Sequence, residues 1–194
     1  MMSRTPNFTG WRVVILAEED SNTEKLCRQL ALLGVSSSLQ WLPLADDALP
    51  DLVIVDADRG WDELLPWARR KPARPVAALL GSEAPGRIAW AIDCGAASFI
   101  PKPVSASTVY PALVLAVSTH EQRLEDEARI DRLEERLKLR PVVFAAVDRL
   151  KVERQIDDER AYGLLRNCAM RRRMPIEQLA ALVVGGIETL REVG

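Results

Sequence analysis

With 194 residues, 48% of them hydrophobic and a formal net charge of −2, the chain can hold one large domain or two small ones around real cores. That composition excludes wholesale disorder, and the near-neutral balance excludes a uniformly basic surface, so any nucleic-acid contact must be local. Apolar runs such as 13–17 and 76–80 are too short to span a bilayer, and residues 1–10 lack the apolar run of a signal peptide. Cys27, Cys94 and Cys168 are dispersed without metal or redox spacing and read as buried free thiols of a reducing compartment. These features predict a cytoplasmic protein with no membrane segment.

In chain order, Val13 to Leu16 reads as a buried strand followed by acidic residues. Ser21 or Asn22 can cap a helix through Leu33, with Leu26, Leu30 and Leu33 on one face and Gly34 as its stop. Val35 to Leu42 and Leu52 to Val55 are the next strands, the latter a continuous apolar run suited to burial on both faces. Trp61 to Arg70 predicts a short helix, 76–80 a fourth strand, and Pro85 to Gly95 a helix ending in glycine. Ser98 to Ile100 is a fifth short strand, and Ala106 to Val117 the last helix of this part. Such alternation predicts a doubly wound, five-stranded parallel α/β sheet over residues 10–118.

This part resembles the receiver domain of response regulators. Asp56 ends the third strand, where receivers place a phosphoacceptor, and Lys102-Pro103 follows the fifth, where the resemblance implies a phosphate clamp. Phe99 occupies the aromatic switch position. Ala17-Glu18, or Glu18-Glu19 with a one-residue slip, stands where receivers carry an acidic pair, and Leu80-Gly81 stands where they carry a hydroxyl. Ala57-Asp58 replaces the usual Met-Pro behind the phosphoacceptor. Two readings follow. One is a degenerate receiver that serves as a docking body. The other is a working phosphoacceptor at Asp56, with Glu18, Glu19 and Asp56 holding Mg²⁺ and Lys102 clamping the phosphoryl group; without phosphorylation no cofactor is implied.

Residues 119–140 form a helical spacer dense in both signs of charge. Ile130, Leu133 and Leu137 are three and four apart, and Phe144 extends the seam, so the spacer reads as a dimerising coiled-coil helix. Pro141 is compatible with a helix start or a kink. Residues 141–194 predict three short helices: Val142 to Glu153 with Val143, Ala146, Val147 and Leu150 inward; Glu159 to Arg171, capped by Asp157 or Asp158; and a last helix opened by Pro175, carrying Leu179, Leu182, Val183 and Ile187.

The segment Ala161-Tyr162-Gly163-Leu164-Leu165-Arg166, followed by Ala169-Met170-Arg171-Arg172-Arg173-Met174-Pro175-Ile176, resembles the ANTAR domain, the three-helix RNA-binding module of antitermination regulators. Ala146, Leu150, Leu179 and Ala180 match the family in the flanking helices, whereas Ala146-Val147-Asp148 departs from its usual Ala-Lys-Gly. The resemblance implies RNA contact through Arg166, Arg171, Arg172 and Arg173, joined by Arg149, Lys151 and Tyr162; guanidinium forks pair with phosphate, and an aromatic ring stacks on a loop base.

The expected function is therefore an RNA-binding antitermination regulator that acts as a homodimer on leader-RNA hairpin loops. Control would come from a small-molecule-sensing repressor protein or from a histidine kinase acting at Asp56. A protein that binds only its partner is the other class considered. An enzyme is the least supported class, because the sequence shows no nucleophile–base pair, Gly-rich phosphate loop or metal cluster.

Overall fold

A computed structural model describes residues 6–45, 50–67 and 71–187. The chain divides into two compact units, residues 1–125 and 126–194. In the first, strands β1 (Arg12–Leu16), β2 (Ser36–Gln40), β3 (Leu52–Asp56), β4 (Val76–Leu80) and β5 (Ala96–Pro101) form one sheet of order β2-β1-β3-β4-β5. Every pairing is parallel.

The period-two geometry of the strands divides the core. Leu52 and Ile54 of β3 join Val13, Ile15, Ala77 and Leu79 on one face, while Val53 and Val55 join Leu16, Val76 and Ala78 on the other. With both faces covered, β3 is buried at every position, which explains the apolar run from Leu52 to Val55 that precedes Asp56. Helix α1 (Ser21–Leu32) and the first turns of α3 (Ala106–Arg154) cover the first face through Leu26, Leu30, Val109 and Leu113. Helix α2 (Pro85–Asp93) helps to close the second through Ala91.

Two local expectations change. Helix α1 is capped by Asp20, not by Ser21 or Asn22: its carboxylate accepts from the amides of Asn22 and Thr23 at 2.8 Å, and Thr23 Oγ1 accepts from the Asp20 amide at 2.8 Å. The predicted helix from Trp61 is a single 3₁₀ turn, Asp62–Leu64, and residues 68–70 of that expectation lie outside the described residues. Pro66 is the reason. It disfavours helical geometry at Leu65, which is extended at φ −115° and ψ 126°. Leu64, Leu65 and Trp67 are all buried in the second face, and the Trp67 indole donates to the Cys94 carbonyl at 3.3 Å.

In the second unit, the end of α3 packs with α4 (Asp158–Arg171) and α5 (Ile176–Val184). Pro141 lies inside α3, so no new helix begins there. Ala146, Leu150, Ala161, Leu165, Leu179 and Ala180 are almost fully buried, and the alanines let the helices approach closely. Asp157 caps α4 by accepting from the Arg160 amide at 2.8 Å. Met170, one of the residues that carry the family resemblance, is 66% exposed, and Ile187 lies beyond the end of α5. Cys94 and Cys168 are buried, Cys27 is half-buried, and all three are free thiols.

Candidate functional site

The carboxyl ends of parallel strands are where an α/β sheet presents its chemistry, and Asp56 and Lys102 meet there. Asp56 closes β3, and Lys102 follows β5 with its amide donating to the Leu80 carbonyl at 2.8 Å. The Lys102 ammonium donates to both Asp56 carboxylate oxygens at 2.8 Å. It also donates to Asp58 Oδ2 at 2.9 Å. Asp58 in turn reaches across to the end of β4. Its Oδ1 accepts from the Ser82 amide at 2.9 Å, and its Oδ2 from the Gly81 amide at 2.8 Å. Burial works against ionisation of Asp58, but the bonds from Lys102, Ser82 and Gly81 outweigh it and hold its pKa below the ordinary aspartate value. Burial likewise opposes the charge on Lys102, and the two carboxylates overcome it, raising its pKa.

The expected Mg²⁺ ligands do not gather. Glu18 Oε1 is paired with Arg59 Nη1 at 2.7 Å, and buried Ala17 occupies the position after β1. Among the described residues no group of three His, Cys, Asp or Glu side chains is placed to hold a metal ion. Glu18, Glu19 and Asp56 therefore do not fit a Mg²⁺ site. Phe99 is half-buried against the second face of the sheet.

The second candidate site is the end of α4. Arg171, Arg172 and Arg173 are exposed there; Arg166 and Tyr162, the latter 46% exposed, lie on earlier turns of the same helix. Arginines at a helix C-terminus also complement its dipole, so the cluster costs little to assemble. The turn itself is a Schellman motif: the Arg173 amide donates to the Met170 carbonyl and the Met174 amide to the Ala169 carbonyl, each at 3.1 Å. Arg173 takes the left-handed position, at φ 53°, that glycine usually fills.

Arg149 and Lys151 are engaged within their own unit. Arg149 bonds Glu153 Oε1 at 2.6 Å and the Val184 carbonyl at 3.1 Å, tying α3 to the end of α5. Lys151 pairs with Asp148 at 3.6 Å and with Asp158 at closer range. The seam residues Ile130, Leu133 and Leu137 are 53%, 49% and 55% exposed.

Sequence reasoning passed over two features. Asp58 registered only as a departure from the receiver pattern. Arg129, Arg132 and Arg136 escaped notice, though they line one groove of about 670 Å³ beside Pro175. Their spacing of three and four is a helix-face signal that charge density along the spacer concealed.

The family model described as "ANTAR domain" matches residues 131–184. The chain is 29% identical over 153 residues to the transcriptional regulatory protein PdtaR of Mycobacterium tuberculosis, covering 77% of this chain and 74% of that protein. It is 26% identical over 178 residues to the aliphatic amidase regulator of Pseudomonas aeruginosa, covering 90% and 91%. Among solved structures, a yeast Spc42 trimeric coiled-coil segment fused to another structure shares the fold with a TM-score of 0.51 at 14% identity, over 69% of this chain and 95% of that one. No helix among the described residues is long and apolar enough to cross a membrane. Residues 131–184 thus carry an ANTAR domain, behind an N-terminal unit with the receiver-like strand order β2-β1-β3-β4-β5.

Proposed function

We propose that this protein is a transcription antitermination regulator: a homodimer that binds hairpin loops of a leader RNA and is controlled by a partner protein through its receiver-like unit. The observation that carries the reading is the exposed cluster Arg166, Arg171, Arg172 and Arg173 on the second helix of the ANTAR-matched segment. Guanidinium groups at a helix end present paired donors to phosphate, and Tyr162 on the same helix offers a ring for stacking. No bond is made or broken; binding favours one RNA fold over its competitor. Both curated relatives bear regulator names, which supports a regulatory role in place of catalysis.

Control by protein contact fits the state of Lys102, whose charge is already shared between two carboxylates. The partner would be a small-molecule-sensing repressor. A second reading, phosphorylation of Asp56 by a histidine kinase, rests on the 2.8 Å Asp56–Lys102 pair. Acetyl phosphate with Mg²⁺ separates the two: labelling of wild type but not of Asp56→Asn would establish the kinase route, and labelling of neither would remove it.

The RNA surface is tested by replacing Arg171, Arg172 and Arg173 with Ala. Affinity for leader RNA should fall, and the slope of log K against log salt should decrease by about 2 if each arginine holds one single-strand phosphate. An unchanged slope would reject this surface.

A further inference from the structure

A carboxylate two residues beyond the strand end has no reason to cross to the neighbouring loop unless something there binds it. Asp58 finds the Lys102 ammonium at 2.9 Å and the backbone amides of Gly81 and Ser82 at 2.8 and 2.9 Å. An ammonium beside consecutive backbone N–H groups is an anion seat, the donor set that would otherwise receive the oxygens of a phosphate. The fit is close. A Cβ built on Gly81 would lie 2.8 Å from Asp58 Oδ2 and 3.4 Å from Lys102 Cδ, so any larger residue at position 81 would force the carboxylate to shift. Asp58 remains partly accessible, with 24% of its side chain exposed, whereas Lys102 is 14% exposed.

We propose that Asp58 is a built-in occupant of this anion seat: the chain supplies from the loop after β3 the negative group that a phosphoryl group would supply from outside. The receiver-like unit thus rests permanently in an anion-filled arrangement that joins the ends of β3, β4 and β5, and an external anion must displace Asp58 to reach Lys102. The inference is independent of RNA binding and stands or falls within the first unit. Its ligand class is a tetrahedral oxyanion, admitted only when Asp58 is removed.

The experiment uses the full-length, ¹⁵N-labelled chain and inorganic phosphate as the probe, reading the amide resonances of Gly81 and Ser82. Both samples carry Asp56→Asn, which removes the neighbouring negative charge, and one also carries Asp58→Ala. The protein that keeps Asp58 should show no saturable response over a range in which the Asp58→Ala protein saturates, a difference of at least about tenfold in half-saturation. Adding Lys102→Met to the Asp58→Ala protein should abolish the response. Equal affinities in the first two proteins, or no response in a folded Asp58→Ala protein, would overturn the proposal.

A second measurement serves if that variant does not fold. In the wild type, the Gly81 and Ser82 amides should move together on acidification, with a midpoint below the ordinary aspartate value. The groups facing Asp58 are Asp56 from β3 and Lys102 after β5, with the β4 end contributing backbone amides. Asp56→Asn should keep this transition and Asp58→Asn should remove it. Persistence of the transition in Asp58→Asn would contradict the assignment.

Discussion

Lys102 balances two carboxylates, one at the end of β3 and one in the loop after it, and the stability of the first unit should carry that signature. Asp58 has a lowered pKa in the folded chain, so its contribution is complete above the ordinary aspartate value and is lost as pH falls through the lowered one. Lys102 behaves oppositely. Its raised pKa gives a contribution present below the ordinary lysine value and lost as pH rises through the raised one. Asp58→Asn should therefore flatten the acid limb of stability, and Lys102→Met should flatten both limbs. Urea midpoints read by tryptophan fluorescence across pH measure this cleanly, because all five tryptophans lie in the first unit. At the other site, Arg173 holds a left-handed turn that favours glycine. Arg173→Gly should stabilise α4 and α5 by ~1 kcal/mol while weakening RNA binding, read by amide exchange and by titration. Loss of stability on that replacement would mean that the arginine side chain, and not the backbone, dominates the turn.

Residue identity was legible at Asp56 and Lys102 because each sits at a fixed distance from a strand that the apolar runs define. Asp58 was not. Its partners lie 23 to 44 residues away, and no local pattern reveals a contact made by a loop crossing to its neighbour. Arg149 and Lys151 illustrate the same limit: no local pattern shows that they pair with Glu153, the Val184 carbonyl, Asp148 and Asp158.

At the scale of elements, periodicity located the strands and most helices, and local backbone chemistry decided the exceptions. Strand β4 matches its apolar run residue for residue, since a buried parallel strand has no polar face to blur its ends. The stretch after Trp61 misled because its apolar spacing is helix-like while Pro66 forbids the continuation. The spacer seam also supports a pairing prediction. With Ile130, Leu133 and Leu137 as the core positions, Arg129 and Arg136 flank one side of the seam and Glu134 the other. A parallel pair would set Arg129 against Glu134 of the second copy, whereas an antiparallel pair would oppose arginine to arginine. Arg129→Glu should weaken dimerisation severalfold, in keeping with roughly 0.5 kcal/mol for an exposed pair, and adding Glu134→Arg should restore it in sedimentation equilibrium. Failure of the double variant to recover would argue against the parallel pair. In the bundle, Leu165→Ala removes a fully buried side chain and should cost about 2–5 kcal/mol in the second unit, leaving tryptophan fluorescence unchanged.

Across the whole molecule, a sheet unit and a helical unit share one chain through α3, each with its own core. This organisation was readable because the hydrophobic period changes from strand–helix alternation to helix alone after residue 118. What the second unit recognises is not written in periodicity, since an arginine cluster serves a helix dipole as readily as a phosphate. The most direct test is therefore a titration of the full-length protein against RNA bearing tandem hairpins, with scrambled-loop RNA as control, at two salt concentrations. The account predicts tighter binding to the intact loops at both salts, weakened by replacing Arg171, Arg172 and Arg173. Equal binding to both RNAs, or none to either, would contradict it.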